Sequence, residues 1–68
     1  MIVESKAPGF PAVEIFANTV GEFIDQSFSE WAFYWGEDVD TDLIASAWTD
    51  LAFFGFATAE GVTYIVKH

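Results

Sequence analysis

The first half of the chain carries two different hydrophobic patterns. Residues 1–5 are rich in β-branched side chains and nearly alternate between apolar and polar, which favours a short N-terminal strand. Two prolines and a glycine interrupt regular structure between residues 6 and 11. From residue 12 to about residue 28 the apolar positions recur at steps of three and four, which predicts an amphipathic helix. The predicted inward stripe of this helix is Val13, Phe16, Val20, Phe23 and Ile24.

The middle of the chain predicts a second, short helix. Ser27 or Ser29 can supply its N-cap, residues 30–35 form its body, and Gly36 ends it. Residues 31–35 read Trp-Ala-Phe-Tyr-Trp, and a single inward face cannot take every ring of that run. Some of these aromatic side chains are therefore expected at the surface.

A third helix is predicted over residues 42–54. Asp40 or Thr41 is a natural N-cap for it, and Gly55 is a natural C-terminal stop. The predicted inward positions are Leu43, Ile44, Ala47, Trp48, Leu51, Ala52 and Phe54. The positions predicted to lie towards solvent are Asp42, Ser46, Thr49, Asp50 and Phe53.

The end of the chain predicts a β-hairpin. Residues 56–59 and 62–67 are apolar or β-branched and flank a Glu60-Gly61 turn. The predicted fold is therefore a single α+β domain over residues 1–68. It has three helices followed by a C-terminal β-hairpin, with or without a short N-terminal strand.

This order of elements resembles a winged-helix domain, in which the third helix reads DNA and the hairpin forms the wing. The resemblance is carried by the capped helix over residues 42–54, Gly55 and the hairpin ending Tyr64-Ile65-Val66. The third helix and the turn before it offer aspartates and no Lys or Arg. The resemblance therefore implies a winged-helix-like fold without direct DNA reading.

Composition sets two further expectations. Hydrophobic residues make up 53% of the chain, including eight Phe, three Trp and two Tyr. One core of this size cannot enclose all of those rings, so an exposed apolar surface suited to an interface is expected.

Eleven acids against two lysines give a net charge of −9, which repels nucleic acid and anionic lipid and attracts basic surfaces. Without an apolar run long enough to span a bilayer, the chain is predicted to be cytoplasmic.

Catalytic and metal chemistry have little support in the sequence. The chain lacks cysteine, and its one histidine is the terminal His68. Asp38, Asp40 and Asp42 have the spacing that opens a calcium loop, but Leu43 and Thr49 stand where that loop needs Gly and Glu. Helix capping is the better interpretation of these acids. The prediction is a protein that is not an enzyme and has no cofactor and no metal.

The leading functional hypothesis is a protein–protein interaction module whose acidic surface docks on a basic surface of a partner. A nucleic-acid-binding complex is one candidate for this partner, while direct contact with nucleic acid or membrane is not expected. In size, charge and aromatic content the chain resembles small acidic inhibitors of phages and mobile elements, including anti-CRISPR and anti-restriction proteins that act as DNA mimics. The predicted partner-binding residues are Glu37, Asp38, Asp40, Asp42, a helical stripe of Glu14, Glu22 and Asp25, and the aromatics Trp35 and Phe53.

Two alternatives remain open at this point. One is an assembly protein that forms a homodimer or larger homo-oligomer through exposed aromatics. Its candidate contacts are Phe33, Tyr34, Trp35, Phe53 and Phe56. The other is a winged-helix-type transcription regulator that acts through protein contacts. Salt separates the first alternative from the acidic-surface hypothesis, because salt weakens a charged contact and not an apolar one.

Overall fold

The chain folds as a four-stranded antiparallel sheet with two helices on one face. A computed structural model describes residues 1–36 and 39–67, and the side chain of Trp35 lies outside the described part. The elements in these ranges are β1 (Ile2–Lys6), β2 (Val13–Phe16), α1 (Val20–Trp35), α2 (Thr41–Phe54), β3 (Phe56–Ala59) and β4 (Val62–Lys67).

The sheet has the strand order β2-β1-β4-β3, so the first and last strands of the chain are its two central strands. Val3 of β1 lies opposite Ile15 of β2, and Ser5 of β1 lies opposite Tyr64 of β4. Tyr64 in turn lies opposite Ala57 of β3. These residues point to the same face, because side chains that are directly opposite in a pleated sheet share a side.

Both helices cover that face and leave the other one open. α1 contacts β2, and α2 contacts β3 and β4. The helices run antiparallel, since a short connector joins the end of α1 to the start of α2, while the ring of Phe23 near the start of α1 lies 5.2 Å from that of Trp48 in the middle of α2. The core between the helices and the sheet consists of Val3, Ala7, Ile15, Ala17, Phe23, Trp31, Ile44, Ala47, Leu51, Ala57, Val62 and Tyr64.

Local capping sets the limits of α1. The Thr19 side chain accepts a hydrogen bond from the backbone N–H of Glu22 at 3.2 Å, and the Glu22 carboxylate accepts one from the backbone N–H of Asn18 at 3.0 Å. The first bond satisfies a donor that the first turn of the helix leaves open, and the second ties the residue before the N-cap to that turn. Gly36 ends the helix with φ of 88°, a conformation that favours glycine, which confirms the predicted stop.

The predicted signals for α2 and for the hairpin are confirmed. Asp40 caps α2 by accepting a hydrogen bond on Oδ1 from the backbone N–H of Asp42 at 3.0 Å. Gly55 ends the helix in the left-handed conformation. The predicted hairpin forms between β3 and β4, with positive φ at both Glu60 and Gly61.

The predicted architecture of three helices followed by a hairpin is wrong. The predicted first helix over residues 12–28 is instead a strand, β2, followed by the first half of α1. The segment Val13–Phe16 has one acid, Glu14, between Val13 and Ile15, and the open edge of β1 offers it backbone hydrogen bonds that a helix start at residue 12 would forgo. The winged-helix-like order, and with it the basis of the winged-helix regulator, is therefore not present.

The predicted second helix is the second half of α1. Ser27 and Ser29 lie inside that helix and are not its caps. The Ser27 side chain is fully buried on the inward side of the helix. The Ser29 hydroxyl donates a hydrogen bond to the Asp25 carbonyl oxygen, one turn earlier in the helix, at 3.3 Å. A continuous α1 brings both Phe23, near its start, and Trp31, in its last two turns, to Tyr64 of β4.

Several predicted core positions are exposed. Val13, Phe16, Val20, Ala52 and Phe54 lie at the surface, and Trp48 is only partly buried. Phe16 faces outward because its register with Ile2 puts it on the open face of the sheet. The predicted burial of Phe23 and Leu51 is confirmed, and the largest fully buried side chains are Trp31 and Tyr64.

Neither α1 nor α2 has the length and apolar character needed to cross a bilayer.

Candidate functional site

An open cleft lies between the second half of α1 and the segment that leads into β2. Its volume is about 370 Å³, which falls within the range of roughly 300–1,000 Å³ typical of ligand sites. The helix contributes residues at steps of three and four, which place them on one side of α1. The lining is mainly apolar and consists of Phe10, Pro11, Val13, Ser29, Glu30, Phe33 and Tyr34.

Three aromatic rings form one wall of this cleft. The Phe10 ring lies 4.6 Å from that of Tyr34 and 5.9 Å from that of Phe33, with an interplanar angle of 72° in the second pair. Phe33 and Tyr34 also meet edge to face at 5.9 Å. The loop that carries Phe10 is held by the backbone, because the Phe10 N–H donates to the Ala7 carbonyl oxygen at 3.2 Å. The wall is therefore a packed group of rings rather than three independent side chains.

Glu30 brings a carboxylate to the cleft. The Ser5 hydroxyl donates to Glu30 Oε2 at 3.0 Å, and the Tyr34 hydroxyl donates to the same oxygen at 3.4 Å. Burial raises the pKa of the Glu30 carboxyl above 4.5, and the two hydrogen bonds partly oppose that rise. Burial, followed by the charge of Glu30, also raises the pKa of the Tyr34 hydroxyl. The carboxylate thus occupies a partly desolvated position beside the rings.

A second apolar feature lies at the opposite edge of the sheet. We call the side chains of Phe53, Phe54, Phe56 and Ile65 the phenylalanine patch. Phe53, Phe54 and Phe56 are exposed by 79%, 69% and 60%, and successive rings lie 6.4 Å apart. Ile65 lies opposite Phe56 on the open face of the sheet and extends the patch onto β4. Clustered exposure of this kind is typical of an interface.

The predicted acidic stripe of Glu14, Glu22 and Asp25 along one helix is wrong. Glu14 belongs to β2, on the open face of the sheet, where its carboxylate lies 3.6 Å from the Lys67 ammonium. Glu22 is exposed in the first turn of α1 and takes part in the helix cap. Asp25 is exposed on the same helix. The strand pairing of residues 13–16 separates Glu14 from the other two acids.

The remaining predicted site residues are placed as follows. Asp40 and Asp42 are exposed at the start of α2, and Asp40 acts as its N-cap rather than as part of a calcium loop. Phe53 belongs to the phenylalanine patch. Glu37, Asp38, the side chain of Trp35 and the terminal His68 lie outside the described residues. Within the described ranges, no group of three or more His, Cys, Asp or Glu side chains could hold a metal ion.

Both lysines are engaged inside the molecule. The Lys67 ammonium lies 3.6 Å from the carboxylates of both Glu4 and Glu14. The Lys6 ammonium donates to the carbonyl oxygens of Ala7 and Phe10, which ties down the loop beside the cleft. The other acids of the described ranges therefore have no lysine or arginine partner.

Sequence reasoning did not single out Glu30 or Phe10 as parts of a site. They are twenty positions apart in the chain, and only the packing of α1 beside the β1–β2 loop brings them to one cleft. The one local signal is the i, i+4 spacing of Glu30 and Tyr34 in a predicted helix.

No protein-family model, characterised protein or solved structure matches this chain.

Proposed function

We propose that this chain is a non-enzymatic protein–protein interaction module that docks through its acidic surface on a basic surface of a partner. The supporting observation is the internal use of both lysines, which leaves the exposed acids of the described ranges other than Glu14 without a lysine neighbour. These exposed acids include Asp25, Asp40, Asp42 and Asp50. A negative field of this kind attracts a positive surface and steers its approach.

The proposed partner is a nucleic-acid-binding complex of the cytoplasm. Surfaces that bind nucleic acid are rich in Lys and Arg, and a protein with a net charge of −9 competes with phosphates for them. The chain would then act as an inhibitor of the phage anti-CRISPR or DNA-mimic kind. Nucleic acid itself is repelled by the same charge.

Identification of the partner and a salt titration test this function together. A tagged chain is used to isolate the partner from its native host, and mass spectrometry identifies it. The affinity of the purified pair is expected to fall by at least about tenfold between about 50 mM and about 500 mM salt, and duplex DNA should compete. An affinity that is insensitive to both salt and duplex DNA would contradict an acidic docking surface.

Charge reversal locates the docking surface. Asp42 lies at the connector end of the helical layer, whereas Asp25 lies at the other end because α1 and α2 are antiparallel. Asp42→Lys and Asp25→Lys change the net charge equally, so a difference between them reports position rather than total charge. We expect Asp42→Lys to weaken binding more, because Asp40 lies beside it at the start of α2 and two further acids precede them in the sequence. Circular dichroism on both variants checks that they fold.

The phenylalanine patch supports a second candidate function, assembly into a homo-oligomer. Its rings are exposed in a group, and burial of apolar surface is a main driving force of protein association. Light scattering after size exclusion should then show a dimer or larger species that Phe53→Gln with Phe54→Gln dissociates. Phe33→Gln is the matched control, because Phe33 is similarly exposed, at 76%, but lies at the cleft. A monomer at high concentration would remove this candidate.

A further inference from the structure

We propose that the cleft beside Glu30 receives an arginine side chain of the partner, whose guanidinium packs on the Phe33 ring and its aromatic neighbours and pairs with the Glu30 carboxylate. This inference rests on the proposed function, because it names the group through which a basic partner would be held. It concerns a different surface from the exposed acids that support that function.

The aromatic wall suits a flat cation. The faces of aromatic rings are negative, and a guanidinium within about 6 Å of a ring centroid is attracted to them. The Phe33 ring is 76% exposed and lies edge to face against Phe10 and Tyr34, so two neighbouring rings support it while most of its surface is open. Pro11 and Val13 supply apolar contacts for the methylene stem of an arginine.

The carboxylate supplies the opposite charge. Both of its hydrogen bonds from Ser5 and Tyr34 reach Oε2, and Oε1 has no hydrogen-bond donor among the residues that the structure describes. Burial without a cationic partner disfavours the charged carboxylate, which is why the pKa of Glu30 is raised. A bound guanidinium would compensate this cost through charge-assisted hydrogen bonds.

Charge complementarity selects arginine over other occupants. Lys67 is paired with Glu4 and Glu14, and the Lys6 ammonium is held by the carbonyl oxygens of Ala7 and Phe10 beside the cleft, so neither lysine pairs with the Glu30 carboxylate. A purely apolar side chain would fit the walls but would bury the carboxylate further without pairing it. A lysine ammonium is more strongly hydrated than a guanidinium and does not stack on rings in the same way.

A short peptide with a single arginine is the probe. The acetylated and amidated tripeptide Gly-Arg-Gly, at physiological salt, is titrated into the full chain labelled with ¹⁵N. Saturable shifts are expected at the amides of Phe10, Ser29, Glu30 and Phe33. The same tripeptide with norleucine in place of arginine has a similar stem without charge, and it should bind at least about tenfold more weakly.

Matched variants separate the site from the general negative field. Glu30→Gln keeps an acceptor for the Ser5 hydroxyl and removes one charge, and it should weaken the arginine probe by about tenfold. Asp25→Asn removes one charge from an exposed position of the same helix and should change the affinity by less than about twofold. Phe33→Leu keeps an apolar side chain without the π-face and should reduce the preference for arginine over norleucine.

Lowering the pH gives an independent readout. Protonation of Glu30 removes the opposite charge, so the arginine probe should bind more weakly as the pH falls through the raised pKa of that carboxyl, and Glu30→Gln should abolish this dependence. A lysine probe is expected to bind more weakly than the arginine probe.

Several outcomes would overturn the assignment. Equal binding of the arginine and norleucine probes would identify an apolar pocket, and equal losses in Glu30→Gln and Asp25→Asn would identify diffuse attraction. The absence of saturable shifts at the cleft would also refute it. These results are independent of partner capture and of the Asp42→Lys comparison, so the cleft and the acidic docking surface can fail separately.

Discussion

Trp31 donates a hydrogen bond from its indole Nε1 to the Tyr64 hydroxyl oxygen at 2.7 Å, in the interior between α1 and β4. Both side chains are almost fully buried, and the pair joins positions 33 residues apart. Burial raises the pKa of the Tyr64 hydroxyl, and the neighbouring Ser27 hydroxyl and Trp31 indole N–H partly oppose that rise. The Ser27 hydroxyl lies beside that of Tyr64, although its geometry falls short of a formed hydrogen bond. This polar contact fixes the position of α1 on the sheet.

Removal of the Tyr64 hydroxyl should destabilise the fold. Tyr64→Phe leaves the buried indole N–H of Trp31 without an acceptor, and the free energy of unfolding should fall by about 1–3 kcal/mol. Urea denaturation measures the change. In a Trp31→Phe background the same substitution should cost less, because the unpaired donor is then absent. Equal costs in the two backgrounds would show that the hydrogen bond contributes little.

Truncation of two tryptophans should distinguish the true core from its margin. Trp31 is 1% exposed, and Trp31→Ala should cost about 3–5 kcal/mol, enough to unfold much of a domain of this size. Trp48→Ala should cost clearly less, because Trp48 is only partly buried and packs on Phe23 from the side. Thermal unfolding followed by circular dichroism compares them. A larger loss at Trp48 would mean that the centre of the core lies nearer α2.

Glu30 should make stability depend on pH. Its folded-state pKa is above 4.5, so the folded chain holds this proton over a pH range in which the unfolded chain has released it. The resulting stabilisation is complete below about pH 4.5 and is lost as the pH rises through the folded pKa. Glu30→Gln should therefore flatten the dependence of the urea midpoint on pH in that window. Asp25→Asn serves as the control, and an unchanged slope in Glu30→Gln would contradict the raised pKa.

Lys67 should stabilise the open face of the sheet modestly. It lies 3.6 Å from both Glu4 and Glu14, which are directly opposite each other on β1 and β2. Lys67→Gln leaves two like charges facing each other, and the loss should be below about 1 kcal/mol because all three groups are partly exposed. High salt should reduce this loss. In a Glu14→Gln background the substitution should cost less, and an equal cost would indicate that packing of the Lys67 stem is responsible.

The sequence by itself determined the elements whose signals are local. Asp40, the apolar spacing of residues 41–54 and Gly55 define α2, because a cap, a periodic run and a left-handed glycine act within a few residues of one another. The hairpin of β3 and β4 follows from two short strands around the Glu60-Gly61 turn. The excess of exposed aromatics also followed from composition, since a core of this size cannot hold every ring.

The segment before α1 was decided by tertiary structure. Val13–Phe16 fits both a helical and an alternating pattern over so few residues, and only the antiparallel pairing with β1 selects the strand. The strand pairing places Phe16 on the open face of the sheet and separates Glu14 from Glu22. Thr19 then caps a single long helix, and the two serines predicted to be caps lie inside that helix. Backbone pairing between residues 2–5 and 13–16 is a non-local contact, so periodicity within one segment carries no information about it.

The cleft has the same origin. Its carboxylate comes from α1, its rings from α1 and the β1–β2 loop, and the hydrogen bond to that carboxylate from Ser5 in β1. Each side chain taken alone is an ordinary acid, aromatic or serine in the sequence. Their juxtaposition depends on α1 lying beside β2, with Trp31 of the helix and Tyr64 of β4 buried between the helix and the sheet. Side-chain packing over long sequence separations thus decided the position and chemistry of the candidate site, because no local pattern encodes which residues will meet.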